Sequence, residues 1–203
     1  MTKHDVIQQL ISTTPFPGWD ADSAYFLVKD TLSPLEFSLI FPHGTQSLFQ
    51  AYQTFLSEQL AAAVETELPT NLTTTDKIAW MLLKRFEHIL TWKDAERAAI
   101  QGILRPSSQL MDVPGHISNL CDQIWRAAGD TSTDMNYYTK RISLGTIYGA
   151  ALLYWYTTDA SLGQIEVFIR HRFKDLFSIT SLIKTHPLDN VKLNIQRLRD
   201  FFE

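Results

Sequence analysis

The 203-residue sequence predicts an all-α fold, and three observations carry that reading. Apolar residues recur at three- and four-residue spacing through most of the chain, as on the buried faces of helices. Sustained alternation is missing, and so are Asn-Gly and Asp-Gly hairpin turns. Proline and glycine instead fall between the periodic segments, where they stop one helix and begin the next.

Composition sets the bounds. Hydrophobic residues make up 45% of the chain, enough for one core or for a head and a body. With 20% charged residues and a net charge of -4, the chain suits neither disorder nor general polyanion binding. Cys121 is the single cysteine, which excludes an internal disulfide framework and suits a reducing compartment. The longest apolar run, Ile142 to Tyr156, falls short of the roughly 18 residues of a membrane span. The N-terminus has Lys3 and Asp5 but none of the arginine of a targeting peptide. If Met1 is the natural start, the expected setting is a bacterial-type cytoplasm.

The first helix is expected from Lys3 to Thr13, with Val6, Ile7, Leu10 and Ile11 on one face. Pro15, Pro17 and Gly18 end it. Asp20 caps a second helix to about Lys29, and Ser33-Pro34 opens a third. Phe41-Pro42-His43-Gly44 closes that one, and Thr45 starts a long fourth helix to about Glu67. Residues 1–44 therefore read as a head. In architecture it resembles the head of TetR-type regulators, whose second and third helices enter the DNA major groove. The charges oppose that use: from Met1 to Asp76 the only Lys or Arg residues are Lys3 and Lys29. Operator binding draws most of its non-specific affinity from such cations. No nucleic-acid partner is expected, and a ligand-responsive TetR-type transcriptional regulator is the alternative function.

Residues 45–181 read as the body. Thr73 to Asp76 begin a helix to about Leu90, and Lys93 to Leu104 is another. His116 to Ala128 follows, closed by Gly129. Met135 to about Thr158 is the long helix, and Ser161 to about Thr180 the next. Residues 182–203 read as a C-terminal amphipathic helix after Thr185-His186-Pro187.

Motifs of chemistry are missing. There is no Gly-x-Ser-x-Gly elbow and no Gly-rich phosphate loop. No Glu-x-x-His occurs, which removes the usual di-iron bundle pattern. The reading is non-enzymatic, with no catalytic residue, metal or conventional cofactor. Asp130 and Asp134 suit turn stabilisation and helix capping better than metal binding.

The long helix is unusually apolar. Tyr138, Ile142, Gly145, Tyr148, Gly149, Leu152, Trp155 and Tyr156 are expected on one face, and Leu144, Ile147, Ala151 and Tyr154 on another. Such a helix needs cover from two sides. The plain reading is a central core helix. A homodimer seam beside a lipid-sized cavity also covers both faces, with Tyr138, Ile142, Gly145, Tyr148, Gly149, Leu152 and Trp155 toward the lipid. Gly145 and Gly149 leave room for close approach of a neighbour. The last helix is two-faced as well, with Leu188, Val191, Ile195, Leu198 and Phe202 beside basic Lys192, Arg197 and Arg199. That pattern fits a membrane surface, or packing on the same domain or on a second copy.

Ala128 to Arg141 reads Ala-Gly-Asp-x-Ser-x-Asp-x-Asn-aromatic-Tyr-Thr-basic-Arg, with Trp125 before it and Tyr148, Trp155 and Asp159-Ala160-Ser161 after it. This resembles the signature of the ubiquinone-biosynthesis accessory family often written CoQ-nine, most strongly over Met111 to Arg172. The resemblance implies a TetR-like, non-catalytic homodimer that binds isoprenoid lipids or quinone intermediates. It also implies assistance to the demethoxyubiquinone hydroxylase and attachment to membrane through the last helix. Matched to the family's hydroxylase-contacting patch are Ile124, Arg126, Asp130, Asp134, Tyr137 and Tyr138. Tyr137 is expected to face the partner, and Tyr138 to begin the stripe that runs inward.

Overall fold

A computed structural model describes residues 1–104 and 113–185, with side chains described except at 113 and 177–185. The described residues form α-helices and no strand. In order they are α1 (Lys3–Ser12), α2 (Ala21–Val28), α3 (Pro34–Ile40), α4 (Thr45–Glu67) and α5 (Thr74–Thr91). Then come α6 (Lys93–Ile103), α7 (Val113–Ala127), α8 (Met135–Thr158) and α9 (Leu162–Thr185).

Polar side chains begin the helices where the sequence places them. Thr2 and Asp5 close a reciprocal capping box on α1, and Ser33 and Glu36 another on α3 with Pro34 in its first turn. Asp20 accepts from the Ser23 N–H at 2.8 Å, and Thr73 from the Asp76 N–H at 3.2 Å. Each removes an orphan donor from a helix start. Gly44, at φ 51°, occupies the left-handed region that turns the chain from α3 into α4.

Two apolar clusters form the interior, and α4 runs through both. Its first half gives Leu48, Tyr52, Phe55 and Leu56 to the head cluster, with Val6, Ile7 and Leu10 of α1 and Ala95 and Ala99 of α6. Farther along, Leu60 joins Met81, Leu82, Phe86 and Ile89 of α5 in the body cluster. Burying each such side chain stabilises the fold by roughly 1.5–3 kcal/mol. Trp19 ties the head down by donating its indole N–H to the Ala95 carbonyl at 2.8 Å. α8 packs between α7 and α9, and its inward face is Leu144, Ile147, Tyr148, Ala151 and Trp155.

Two boundaries differ from expectation. α7 begins at Val113 rather than His116, because Pro114 falls in the first turn, where its missing N–H has no partner to lose. α9 runs to Thr185 rather than about Thr180. The expected C-terminal helix, with Leu188, Val191, Lys192, Ile195, Arg197, Leu198, Arg199 and Phe202, lies outside the described residues. No described helix is long and apolar enough to cross a membrane.

Candidate functional site: the α7–α8 latch and its groove

The signature turn begins where α7 stops. Gly129 takes φ 92°, and the chain reverses with Asp130 N–H bonded to the Trp125 carbonyl and Gly129 N–H to the Arg126 carbonyl, both at 2.9 Å. These two bonds satisfy carbonyls that the last turn would otherwise leave open. Asp134 then starts α8 by accepting from the Asn136 N–H at 3.0 Å. Thus capping and turn formation explain part of the motif.

The rest of the motif is an ion-pair network across α7 and α8. Asp130 accepts on Oδ2 from Arg141 Nη1 at 3.0 Å, and on Oδ1 from both Ser132 Oγ at 2.8 Å and Lys140 Nζ. Asp122 accepts from Arg141 Nε at 2.9 Å, from Tyr137 OH at 3.0 Å and from Arg126 Nε at 2.6 Å. The Arg141 guanidinium also lies 3.6 Å from the Tyr137 ring centroid. Trp125 completes the latch by donating its indole N–H to the Lys140 carbonyl at 3.0 Å. Burial pushes the Asp130 carboxyl upward, but bonds from Lys140, Ser132 and Arg141 win and hold it well below the usual range. Asp122 is likewise held low by Arg126, Arg141 and Tyr137 against its partial burial.

Beside the latch lies an open apolar groove of about 670 Å³, walled by Ile117 and Ser118 of α7 and Tyr138, Ile142 and Gly145 of α8. That volume falls within the usual range for ligand pockets. Gly145 brings the two helices together: a Cβ there would lie 3.1 Å from Ile117 Cγ2. A second, smaller and partly open cavity of about 40 Å³ also borders Ile117, with Gln53, Glu96, His116, Leu120, Tyr148 and Leu152.

The structure corrects the expected stripe on α8. Tyr138 and Ile142 are 60% and 69% exposed, whereas Tyr148 and Trp155 are 4% and 0% exposed in the body core. The reason is the helical period: at about 100° per residue, positions 148 and 155 point roughly 80–100° away from position 138. Gly145 and Gly149 follow Tyr138 on the outer side; Leu152 is half-buried at the smaller cavity. So the seven residues expected to share one lipid face divide between a groove and a core.

The two tyrosines exchange places too. Tyr137 is half-buried and tied to Asp122 under Arg141, while Tyr138 is the exposed ring beside it, 5.1 Å away in an edge-on arrangement. Position 137 faces α7, and Arg141 one turn later covers it. Among the other positions matched to the partner patch, Ile124 is 0% exposed and belongs to the core. Asp130 turns inward to Arg141. Arg126 and Asp134 remain on the exposed rim.

Sequence reasoning missed Asp122, although its place four residues before Arg126 is the spacing of a helical ion pair. It also missed a buried polar group formed by Tyr52, Arg85 and Glu96, for which a lone arginine within the apolar face of α5 was the available sign. Cys121 is buried, and burial pushes its thiol up to about 12 despite nearby Arg141. No cluster of metal-ligating side chains occurs among the described residues.

Fold and site together define an all-helical protein with a latched helix pair flanking a ligand-sized groove. Residues 112–180, which take in that pair and most of α9, match the COQ9 family model. Similar proteins include the ubiquinone biosynthesis protein COQ9, mitochondrial, of Xenopus tropicalis, 22% identical over 191 residues. That similarity covers 88% of this chain and 59% of the relative. The ubiquinone biosynthesis protein COQ9-A, mitochondrial, of Xenopus laevis is 25% identical over 162 residues, covering 74% of this chain and 50% of the relative. The chain spans about half to three-fifths of the length of these relatives.

Proposed function

We propose that this protein is a non-catalytic, lipid-binding accessory protein of ubiquinone biosynthesis. The observation that carries the reading is the apolar groove beside the family's signature turn, in which Tyr138 and Ile142 stand exposed next to a rigid ion-pair latch. An isoprenoid chain in that groove would cover side chains that water now meets, at roughly 25 cal/mol per Å² of apolar surface removed. The latch holds α7 and α8 at a fixed separation, so the groove keeps its shape without a bound chain.

In this reading the rim of Arg126, Asp134 and Tyr138 meets the demethoxyubiquinone hydroxylase and presents a quinone intermediate to it. A protruding tyrosine next to a charged rim has the chemistry of an interface anchor. A second copy of the chain covers the outer line of α8, where Leu153 is 58% exposed and nothing lies within 4 Å of a Cβ built at Gly149. The basic apolar pattern of residues 186–203 serves for attachment to an anionic membrane surface. A DNA-binding role draws no support from α3, which carries no lysine or arginine and exposes Leu35 and Leu39.

Mass spectrometry of the full chain, purified without denaturation from cells that make ubiquinone, tests the proposal. Isoprenoid quinones or their precursors are expected to co-purify, and to be reduced by Ile142→Asp. Recovery of a lipid-free protein that also takes up none from quinone-loaded vesicles would sink it.

A further inference from the structure

The head carries most of the chain's charge imbalance. Residues 1–44 hold five carboxylates, Asp5, Asp20, Asp22, Asp30 and Glu36, against Lys3 and Lys29, which is -3 of the chain's -4. Capping accounts for the positions of Asp5, Asp20 and Glu36 but leaves their charge in place. It does not account for the outer face of α3. Phe37 and Ile40 supply the inward side of that helix, while Leu35 and Leu39 stand 69% and 72% exposed, one turn apart.

Single exposed leucines are ordinary on a protein surface. Two at i and i+4 form a ridge of the kind that seats between the ridges of a second helix. Glu36 lies beside that ridge, about 60° round the helix from Leu39. The ridge is also held in place. Ser33 and Glu36 close the capping box beneath it, and Phe37 packs edge-on against Tyr25 at 5.5 Å and against Phe41 at 5.1 Å. A face already fixed has less freedom to lose on binding.

We propose that the outer face of α3 docks a cationic amphipathic helix of another protein. Leu35 and Leu39 are its apolar anchors, and the head's carboxylates, Glu36 nearest, recognise the partner's lysines or arginines. Charge selects this occupant over the others. Nucleic acid and an anionic membrane are repelled by the head's net charge. A second copy brings the same carboxylates face to face. A helix with lysines or arginines beside its apolar stripe answers both features at once. Within the head, α2 already shows such a contact: Lys29 Nζ lies 3.8 Å from the centroid of the exposed Phe26 ring. The surface shares no residue with the α7–α8 groove, so it stands or falls apart from lipid binding.

Fluorescence anisotropy with the full chain, freed of nucleic acid, measures binding of two labelled model helices. One is two repeats of Leu-Lys-Lys-Leu-Leu-Lys-Leu, and the other has glutamate in place of lysine. The lysine helix is expected to bind at least about tenfold more tightly, and to weaken several-fold as salt rises from about 0.1 to 1 M. Leu35→Gln with Leu39→Gln keeps helix propensity and should weaken it about tenfold or more. Glu36→Gln retains a capping box, and together with Asp30→Asn it should narrow the preference for lysine. Melting curves of both variants should overlay the wild type. The natural occupant is then read in cells with p-benzoylphenylalanine in place of Leu39, where the linked stretch should be a basic amphipathic helix of another protein. Failure of the lysine helix to bind, equal binding of both helices, or binding unchanged by the leucine variant overturns the proposal. So does an absence of crosslinks, or crosslinks only to a second copy, to lipid or to nucleic acid.

Discussion

Asp130 and Arg141 form an ion pair of 3.0 Å across the α7–α8 turn, with side chains only 5% and 6% exposed. Removing one partner of such a pair leaves the other charged and enclosed, which costs far more than the pair's net contribution. Asp130→Asn is therefore expected to lower unfolding free energy by about 3 kcal/mol. Urea titration followed by circular dichroism measures it. A loss below about 0.5 kcal/mol, the usual range of surface substitutions, would show that the latch is ornamental.

The same pair sets a pH dependence. Asp130 is buried yet held well below its ordinary value of 3.8 by Lys140, Ser132 and Arg141. A carboxyl lowered in the folded state stabilises fully above its unfolded value, and that share is lost as pH falls through the folded one. Stability should thus hold down to about pH 4 on the latch's account and decline below it. In Asp130→Asn this part of the acid limb disappears. Thermal melts of both proteins between pH 2 and 6 compare the slopes, and parallel curves would remove Asp130 as the titrating group.

Tyr137 and Tyr138 are neighbours with opposite duties. Tyr137→Phe loses the bond to Asp122 and should cost about 1 kcal/mol of stability, the typical net value of one hydrogen bond. Tyr138→Ala removes an exposed ring and should change stability by no more than about 0.5 kcal/mol. Under the proposed function, Tyr138→Ala should nonetheless weaken binding to the demethoxyubiquinone hydroxylase. A pull-down alongside a melt separates the two: if Tyr138→Ala destabilises more than Tyr137→Phe, the roles assigned to them are reversed.

These tyrosines also mark how far the sequence could be read. Helix starts were legible because capping is local: Asp20, Ser33, Thr73 and Asp134 act on backbone groups two or three residues away. Period identified the inward face of α1, whose polar side is clear. From Ile147 to Tyr156 every position of α8 is apolar, aromatic or glycine, so period carried little information there. Tyr148 and Trp155 were placed with Tyr138, although neighbours on α5, α7 and α9 turn them inward. The Asp122–Arg141 and Tyr52–Glu96 pairs join residues 19 and 44 apart, and no local pattern announces a contact between separate helices.

Gly145 and Gly149 share the outer side of α8, yet alanine should affect them differently. At Gly149 a Cβ meets nothing within 4 Å, so Gly149→Ala gains helix propensity, up to about 1 kcal/mol. At Gly145 a Cβ would press on Ile117 Cγ2 at 3.1 Å and stand 3.6 Å from Cys121 Sγ. Gly145→Ala must move Ile117, which offsets the propensity gain. The predicted order of melting temperature is Gly149→Ala above wild type, with Gly145→Ala at or below it. Dilute samples are needed, because under the proposed dimer Gly149 faces the second copy. The reverse order would mean that α7 and α8 are spaced more loosely than the Ile117 contact implies.

Cys121 offers a reporter of that spacing. It is 1% exposed at the seam between α7 and Gly145, and burial raises its thiol to about 12. At pH 8 the reactive thiolate is then roughly one part in ten thousand, before access is considered. The native protein should resist a disulfide reagent such as Ellman's reagent for as long as α7 and α8 stay closed. Asp130→Asn loosens the latch one turn beyond Trp125 and should speed labelling at denaturant levels where global unfolding remains negligible. Equal labelling rates in the two proteins would indicate that Cys121 is reached only by unfolding of the whole body, and that the latch does not control the seam.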